Sequence, residues 1–207
     1  MPKQTYFHLP KDKQDKLIDA AKGEFSRVPL HEASIANIIK SAGIPRGSFY
    51  QYFEDKEDIY YFLLNQLAQK NNERFIGLLK EKNGDLFETF IESFQFLITF
   101  NRNQEHQNFF KHAFLNMNYK VEKTFADHVY EQNQKTQFVN TISLINREHL
   151  NIESDQELYH ILKIMGAVTF QNLIQMIVKE WTDEEALRNY SVQIDLLKRG
   201  FYKEEFK

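Results

Sequence analysis

The residue types of one short run, Pro45-Arg46-Gly47-Ser48, suit the reading of DNA bases. The fork of an arginine donates two hydrogen bonds to O6 and N7 of a guanine. Gly47 has no side chain, so its backbone can approach the DNA closely, and the hydroxyl of Ser48 can reach a base edge or a phosphate. A lone arginine on a short helix is more often a solvated surface residue, so the surrounding elements must decide between the two interpretations.

Four further residues suit contact with the phosphate backbone. Tyr50, Tyr52 and Lys56 supply hydroxyl and ammonium donors, which fix register and add affinity without reading sequence. Ser34 stands before a short apolar segment, where an N-cap serine and the free amides of a helix start form a phosphate site. A Tyr-x-Tyr-Phe run is usually part of a core, and that alternative stays open on the residues alone.

The elements around this run predict a helix-turn-helix. A first helix is expected over residues 11–27, and a second, short helix over residues 35–42. Gly43 closes the second helix in a left-handed conformation, and Pro45 opens a third, over residues 46–50. Two short helices joined by a glycine turn and supported by a longer helix are the arrangement that inserts the second short helix into the major groove.

Capping signals and apolar spacing divide the rest of the chain into further helices. Asp55 is the expected cap of a long fourth helix that runs to Gly84, and capping pairs begin at Asp85, Ser154 and Thr182. The chain is therefore predicted to be all-α, with about nine helices, of which the first three form the head. The later helices are expected over residues 55–84, 85–100, 104–117, 121–147, 154–179 and 182–205.

Composition supports the helical prediction and excludes several classes of protein. The chain has 207 residues, 42% of them hydrophobic, with 19 Phe and 10 Tyr against only seven Gly and four Pro. The absence of cysteine excludes disulfides, thiolate metal sites and thiol catalysis. No run of apolar residues approaches membrane-spanning length and no apolar signal segment is present, so we expect a cytoplasmic protein with no membrane partner.

Charge is distributed unevenly along the chain. The net charge is −3, but the first 56 residues hold nine Lys and Arg against seven acids, and the remainder carries −5. A mildly basic head on an acidic body is consistent with a DNA-binding head, although a difference this small does not establish one.

Residues 34–64 read SIANIIKSAGIPRGSFYQYFEDKEDIYYFLL. This stretch, within a match over residues 17–64, resembles the signature of the TetR/AcrR family, the tetracycline-repressor-like regulators. Ile39 departs from the family pattern, which often has alanine there. The resemblance implies that Phe49 and Phe53 are core residues. It also implies a DNA face made of Ser34, Arg46, Gly47, Ser48, Tyr50, Gln51, Tyr52 and Lys56.

The resemblance also implies a function. It predicts a ligand-responsive, DNA-binding transcriptional regulator, with a helix-turn-helix domain over residues 1–54 and a ligand-binding and dimerisation domain over residues 55–207. Repression is the family's usual mode, so we expect a repressor that leaves a palindromic operator when a small molecule binds the C-terminal domain. The expected partners are double-stranded operator DNA, a second copy of the chain and a small-molecule effector.

The last two predicted helices indicate a homodimer independently of the resemblance. The eighth is apolar around its whole circumference, so it must be covered on all sides, and the ninth carries a single apolar stripe. Two such helices from each chain would make a four-helix bundle. The alternative is an internal hairpin in a monomer. The predicted interface residues are Leu158, Met165, Leu173, Ile194 and Leu197.

The ligand site is less sharply indicated. Predicted helices five to seven are rich in aromatic residues, which either line an apolar cavity or fill a solid core, and the core is the usual role of any single Phe. As a group they favour an apolar or aromatic effector. The predicted ligand-binding residues are Phe94, Phe110, Phe114, Met117, Phe138 and Asn172.

No cofactor and no enzymatic activity are predicted. His106 and His112 are six residues apart and do not share a helix face, and no HExxH motif occurs, so haem or metal binding is a minor alternative centred on His149. A nucleophile elbow, a P-loop, a dinucleotide glycine fingerprint and paired metal carboxylates are all missing from the sequence. The remaining alternative is a helical scaffold, which unlike a regulator would show no salt-dependent DNA binding.

Overall fold

The computed structural model describes residues 1–100, 108, 109, 111–113 and 141–206. Over these ranges the chain is helical, and its β-type pairing is an isolated antiparallel bridge between Leu150 and Tyr202. The all-α prediction is confirmed. The helices are α1 (Gln4–Phe7), α2 (Lys11–Arg27), α3 (Ile35–Ala42), α4 (Arg46–Tyr52), α5 (Lys56–Glu81), α6 (Leu86–Phe100), α7 (Asp155–Lys179) and α8 (Asp183–Phe201), with a final 3-10 turn at Glu204–Phe206.

Two predicted helices lie mostly outside the described residues. Of the span 104–117, residues 108, 109 and 111–113 are described and are helical. Of the span 121–147, residues 141 and 142 are helical, after which the chain leaves the helix. The predicted end at residue 147 was therefore wrong. The spacing of apolar residues was misleading here. Ile145 fits the helical period, but it lies in the turn after the helix and its side chain is buried there.

The chain forms two compact units. Unit 1 comprises Met1–Lys70 with the described residues of Asn101–Gln132, and unit 2 comprises Asn71–Phe100 with the described residues of Asn133–Lys207. The domain boundary expected between residues 54 and 55 stays a prediction.

Unit 1 has a core of aromatic and branched aliphatic side chains contributed by every one of its helices. Leu17 and Phe25 of α2 are buried beside Ile38 of α3 and Phe49 of α4, each of them at most 1% exposed. The Phe25 ring meets Tyr60 of α5 edge to face, with ring centroids 5.0 Å apart. This core holds the two short helices, which are too short to be stable alone.

The turn between α3 and α4 has the predicted glycine geometry. Gly43 adopts φ +67°, and the Ile44 amide donates to the carbonyl of Ile39 at 3.1 Å, which closes α3 with a left-handed residue. Pro45 then precedes α4 with φ −64°. Helix α4 continues to Tyr52, two residues beyond the expected end at residue 50.

The connection from α5 to α6 is a tight turn. Asp55 caps α5 as expected, since its carboxylate accepts the Asp58 amide at 2.7 Å. Helix α5 ends at Glu81, and Asn83 and Gly84 follow with φ of 53° and 82°. The Asp85 carboxylate accepts the Glu88 amide at 3.0 Å, which caps α6.

Unit 2 is built on α6, α7 and α8. The ring of Phe94 on α6 stacks on Tyr190 of α8 with centroids 4.0 Å apart, and the Tyr190 hydroxyl lies 2.7 Å from the hydroxyl of Thr169 on α7. Asn172 donates to Gln193 Oε1 at 2.8 Å. Burial raises the pKa of Tyr190, so its hydroxyl stays protonated. These three helices therefore share an apolar core with a small polar network inside it.

The capping boxes predicted for the last two helices differ in outcome. Thr182 and Glu185 form the complete reciprocal box at the start of α8. Ser154 accepts the Glu157 amide at 3.2 Å, but the Glu157 carboxylate accepts the amide of Glu153 at 2.6 Å. Both helices begin where the caps indicated.

Helix α7 is the one helix among the described residues whose length and composition would allow it to cross a membrane. The sequence expectation counted uninterrupted apolar residues and missed this window, in which polar residues such as Asn172 interrupt an otherwise apolar run. Only 17% of the window is buried. A single helix of this kind is weak evidence for membrane insertion, and its exposed apolar surface needs another explanation.

Candidate nucleic-acid interface

Helix α4 has a polar, exposed side and a buried aromatic side. Arg46, Gly47, Tyr50 and Gln51 are exposed, at the spacing that places residues on one side of a helix. Phe49 is fully buried, and its ring lies 6.0 Å from that of Phe53, which is also fully buried. Ser48 and Tyr52 are half-buried at the margins. The aromatic side thus anchors α4, and the polar side is presented outward.

The guanidinium of Arg46 makes no ion pair with any residue that the structure describes. Its side chain stands at the first position of α4, immediately after the Gly43 turn. An exposed arginine without an internal partner keeps all of its donors for an external acceptor. Free guanidinium donors are one requirement for bidentate recognition of a guanine.

No residue in the described part of the chain requires glycine at position 47. A Cβ added to Gly47 would have no heavy atom within 4 Å, and its backbone is not in the left-handed region. Alanine would favour a helix more strongly at this position. Neither packing against a described residue nor backbone conformation therefore accounts for the glycine at this exposed position.

Glu24 joins α2 to the beginning of α3. One of its carboxylate oxygens accepts the Ser34 amide at 2.8 Å and the Asn37 side chain at 3.1 Å, and both accept the guanidinium of Arg27, at 2.9 and 3.0 Å. Burial alone would raise the pKa of Glu24, but these hydrogen bonds and the Arg27 charge together hold it below its ordinary value. Glu24 is thus a buried, ionised residue that connects α2 to the start of α3 by hydrogen bonds.

This network alters the expected role of Ser34. The serine occupies the N-cap position, but its hydroxyl makes no capping hydrogen bond with α3, and its amide is bound by Glu24. The N-cap hydrogen bond expected of the Ser34 side chain was therefore wrong. Glu24 accepts the Ser34 amide, as the third residue of a helix does in a capping box. Contact of Ser34 with a phosphate stays a prediction.

Lys56 has two partners that the sequence did not reveal. Its ammonium donates to the carbonyls of His31 and Ala33, at 2.9 and 3.0 Å. These carbonyls lie in the turn between α2 and α3, so the lysine ties the start of α5 to the base of the helix-turn-helix. One of its three donors remains for a phosphate.

Sequence reasoning also missed α1. The side chain of Tyr6 in this helix is 2% exposed, and its ring packs against Phe53. Lys3, just before the helix, and Thr5 donate hydrogen bonds to the end of α4. The available signal was the apolar pair Tyr6-Phe7 ahead of Pro10, which is too short to identify a helix but marks an anchored segment.

The predicted ligand-binding residues are only partly described. Phe110, Phe114, Met117 and Phe138 lie outside the described residues. Phe94 and Asn172 are at most 1% exposed and belong to the packed core of unit 2. A cleft of about 200 Å³ in unit 2 is lined by other residues, including Lys82, Asn146, His149 and Tyr202.

The predicted dimer residues are mostly internal to unit 2. Leu158, Met165 and Ile194 are at most 1% exposed, Leu173 is 9% exposed and Leu197 is half-buried. The exposed apolar side chains of α7 and α8 are different ones. They are Ile164, Val178, Val192 and Leu196, each between 43% and 58% exposed.

Within the described part of the chain, no group of three His, Asp or Glu residues is arranged to hold a metal ion. The ring of His149 lies against Tyr202, with centroids 5.8 Å apart. His112 belongs to unit 1, where burial, helped by the charge of Lys111, lowers its pKa. His106 and His128 lie outside the described ranges.

The small helices and exposed polar side of α4 define a helix-turn-helix head, joined to a second helical unit. Residues 17–60 match the family of bacterial regulatory proteins named for tetR, and residues 85–201 match the tetracyclin repressor-like C-terminal domain. The chain belongs to the tetracycline-repressor-like family. Members of this family are transcription regulators and not enzymes.

Curated relatives support the same family over part of the chain. The uncharacterised helix-turn-helix-type regulator YdgC of Bacillus subtilis is 34% identical over 70 residues, 34% of this chain and 36% of that protein. The fatty acid metabolism regulator protein of the same organism is 34% identical over 67 residues, 32% of this chain and 34% of that protein. The chain thus spans about a third of the length of the curated relatives it matches.

Solved structures share the fold over nearly the whole chain. A TetR-family regulator from Mesorhizobium loti aligns with a TM-score of 0.67 at 15% identity, covering 93% of this chain and 98% of that one. The regulator FadR of Bacillus subtilis, in complex with stearoyl-CoA, aligns with a TM-score of 0.64 at 16% identity, covering 91% and 99%. At these identities the likeness shows the fold alone.

Proposed function

We propose that the chain is a ligand-responsive repressor that binds a palindromic operator through α4. The observation that carries the proposal is the exposed side of α4, where Arg46 has no ion-pair partner and Gly47 no packing neighbour among the described residues. Ser48, Tyr50, Gln51 and Tyr52 complete this side or its margins. Base contacts fall to Arg46 and Ser48, and phosphate contacts fall to the tyrosines, Lys56 and Ser34.

The proposal includes a homodimer formed through α7 and α8. Ile164 and Val178 on α7, with Val192 and Leu196 on α8, expose apolar surface that a second copy would cover. The low burial of the most apolar window of α7 supports the same conclusion, because a helix that is apolar on all sides requires cover. The proposed interface is therefore formed by these exposed residues. Of the residues first predicted, only Leu173 and Leu197 are more than 1% exposed, and Leu197 is half-buried. A symmetric dimer explains why the operator is expected to be palindromic.

The proposed effector is a small molecule with an apolar or aromatic part that binds the second helical unit. Support comes from the abundance of aromatic residues in the predicted helices five to seven and from similarity to regulators of fatty acid metabolism. FadR of Bacillus subtilis binds stearoyl-CoA, and the fatty acid metabolism regulator protein matches part of this chain. A long-chain acyl-CoA is therefore the first compound to test.

Helix α5 is the proposed route from effector to DNA. It is continuous, with residues up to Lys70 in unit 1 and residues from Asn71 in unit 2. Its first residue, Lys56, holds the turn between α2 and α3. An effector that prefers one position of α5 would change DNA affinity through this contact, as linkage requires.

The DNA part of the proposal is tested by selection of bound duplexes from a random-sequence library by the full-length protein. Enrichment of an inverted repeat, with half-sites one helical turn or a multiple apart, is the expected result. Arg46→Ala is expected to lose the enrichment at one base pair in each half-site. A library that emerges without any enriched sequence would refute operator binding.

The effector part is tested on the complex with the selected duplex. Stearoyl-CoA is expected to release the DNA, while coenzyme A without the acyl chain leaves the complex intact. Release by both compounds, or by neither, would contradict an acyl-chain effector.

A further inference from the structure

Residues 1–7 form an N-terminal arm that packs against the recognition helix α4 within unit 1. The ring of Tyr6 lies 5.1 Å from the ring of Phe53 and 5.4 Å from that of Phe62, with its side chain 2% exposed. Phe7 meets the Tyr6 ring edge to face at 5.3 Å. These aromatic contacts fix the arm on the same core that holds the buried side of α4.

The arm delivers three hydrogen-bond donors to the last three residues of α4. The Lys3 amide donates to the Tyr52 carbonyl at 2.8 Å, and the Lys3 ammonium donates to the Tyr50 carbonyl at 2.8 Å. The Thr5 hydroxyl donates to the carbonyl of Gln51. Each of the final carbonyls of α4 therefore has a partner that comes from more than 40 residues away in sequence.

Helix α4 needs these partners more than a longer helix would. The last four carbonyls of any α-helix have no partner within the helix, and α4 has only seven residues. Its N-cap, Pro45, supplies no side-chain hydrogen bond. The ammonium of Lys3 is also placed where the negative end of the helix dipole attracts a cation. The arm thus completes a helix that is marginal on its own.

We propose that Lys3 and Thr5 are positioning residues for DNA recognition, which hold α4 in its binding orientation without reading bases themselves. This inference rests on the proposed function, because it assumes that α4 is the helix that binds DNA. Loss of the two side-chain donors leaves the Tyr50 and Gln51 carbonyls without them. The end of α4 then frays, and the free protein must order it again on DNA, which weakens binding.

The test uses the full-length double variant Lys3→Met and Thr5→Val, which removes both donors and keeps the side-chain volumes. Amide hydrogen exchange of residues 47–53 is measured in free protein, and anisotropy measures affinity for the duplex that the wild type selects. Thr5→Ser restores the hydroxyl and serves as the conservative control. Lys13→Met removes the same charge from an exposed position of α2.

The double variant is expected to exchange the amides of α4 faster and to bind the duplex roughly tenfold more weakly. The dependence of affinity on salt should keep the wild-type slope, because no phosphate contact is removed. Thr5→Ser combined with Lys3→Met restores one donor and should recover part of the loss. Lys13→Met should leave the exchange of α4 unchanged.

Two results would overturn the inference while the proposed function stands. One is that the amides of α4 exchange at the same rate in the double variant as in the wild type. The other is faster exchange accompanied by a salt slope lower by about one, which would make Lys3 a phosphate ligand. If the wild type selects no duplex, the proposed function itself fails, and the inference fails with it.

Discussion

Glu24 is a single residue on which the geometry of the head depends. It is 6% exposed, and its carboxylate accepts hydrogen bonds from Arg27, Ser34 and Asn37. Because the pKa of Glu24 is lowered in the folded state, its ionised form stabilises the protein above the unfolded-state value, near 4.5. That stabilisation is lost as the pH falls through the folded-state pKa.

Glu24→Gln is expected to lower the free energy of unfolding at neutral pH by roughly 1–3 kcal/mol, because the amide replaces an ionised acceptor of several hydrogen bonds. The difference from the wild type should shrink as both proteins are taken to acid, where Glu24 is protonated in either state. Urea denaturation between about pH 3 and pH 8 measures it. Glu54→Gln, at an exposed carboxylate, is the control. A deficit that persists undiminished in acid would show that charge is not the cause.

Substitution of Gly47 is expected to affect the stability of the protein and its affinity for DNA differently. Since a Cβ there meets nothing in the protein, Gly47→Ala should leave the free energy of unfolding unchanged or raise it by up to about 1 kcal/mol. On DNA the added methyl obstructs close approach, so binding should weaken by roughly 1 kcal/mol or more. Thermal unfolding and anisotropy are measured together. Gly23→Ala on α2, also in open space, should raise stability alone, and equal DNA binding by both variants would remove the argument for Gly47.

At the scale of elements, the sequence predicted the helix caps and turns that depend on residues close together in the chain. The caps at Asp55, Asp85 and Thr182 and the left-handed Gly43 involve residues at most five apart, so their chemistry can be read directly from the chain. The partners of Lys56 and Glu24 belong to other helices, and the backbone that they bind carries no sequence signal. Helix α1 was missed for the same reason, because its stability comes from Phe53 and the end of α4.

Gly84, in the turn between α5 and α6, is a position where both the backbone conformation and the surrounding space require glycine. It has φ +82°, and a Cβ there would lie 2.5 Å from the Leu144 carbonyl oxygen and 2.6 Å from the Asn146 nitrogen. Gly84→Ala should therefore lower the free energy of unfolding by roughly 2–4 kcal/mol. Gly77→Ala, in the open interior of α5, should be neutral or stabilising. Equal stability of the two variants in urea denaturation would contradict the close approach.

At the scale of the whole molecule, the pattern of burial could not be fully predicted. The sequence indicated that α7 is apolar around its whole circumference and that α8 carries a single apolar stripe. It could not indicate which apolar residues face inward, because a helix that is apolar all round has no preferred side. Leu158, Met165 and Ile194 face the core, whereas Ile164 and Leu196 are exposed. The recognition helix was easier to predict, because its buried and exposed residues differ in chemistry.

Leu196→Glu is expected to weaken the proposed dimer, because it places a charge where an apolar residue is 57% exposed in the single chain. Sedimentation equilibrium should show dissociation at higher concentrations than in the wild type, with the fold retained. Gln95→Glu adds a similar charge at an exposed position of α6 and should leave the assembly unchanged. A wild type that sediments as a monomer at every concentration would contradict the dimer, and a Leu196→Glu variant with unaltered association would move the interface elsewhere.

The central claim is that α4 reads operator DNA, and a fluorescence-anisotropy titration of the selected duplex at two salt concentrations tests it most directly. The wild type should bind tightly and more weakly at higher salt. Arg46→Ala should lose roughly 1–3 kcal/mol of binding free energy. Arg46→Lys, which keeps the charge but not the fork, should recover little of it. Binding by Arg46→Ala that equals the wild type, with the same preference for the selected sequence, would contradict the claim.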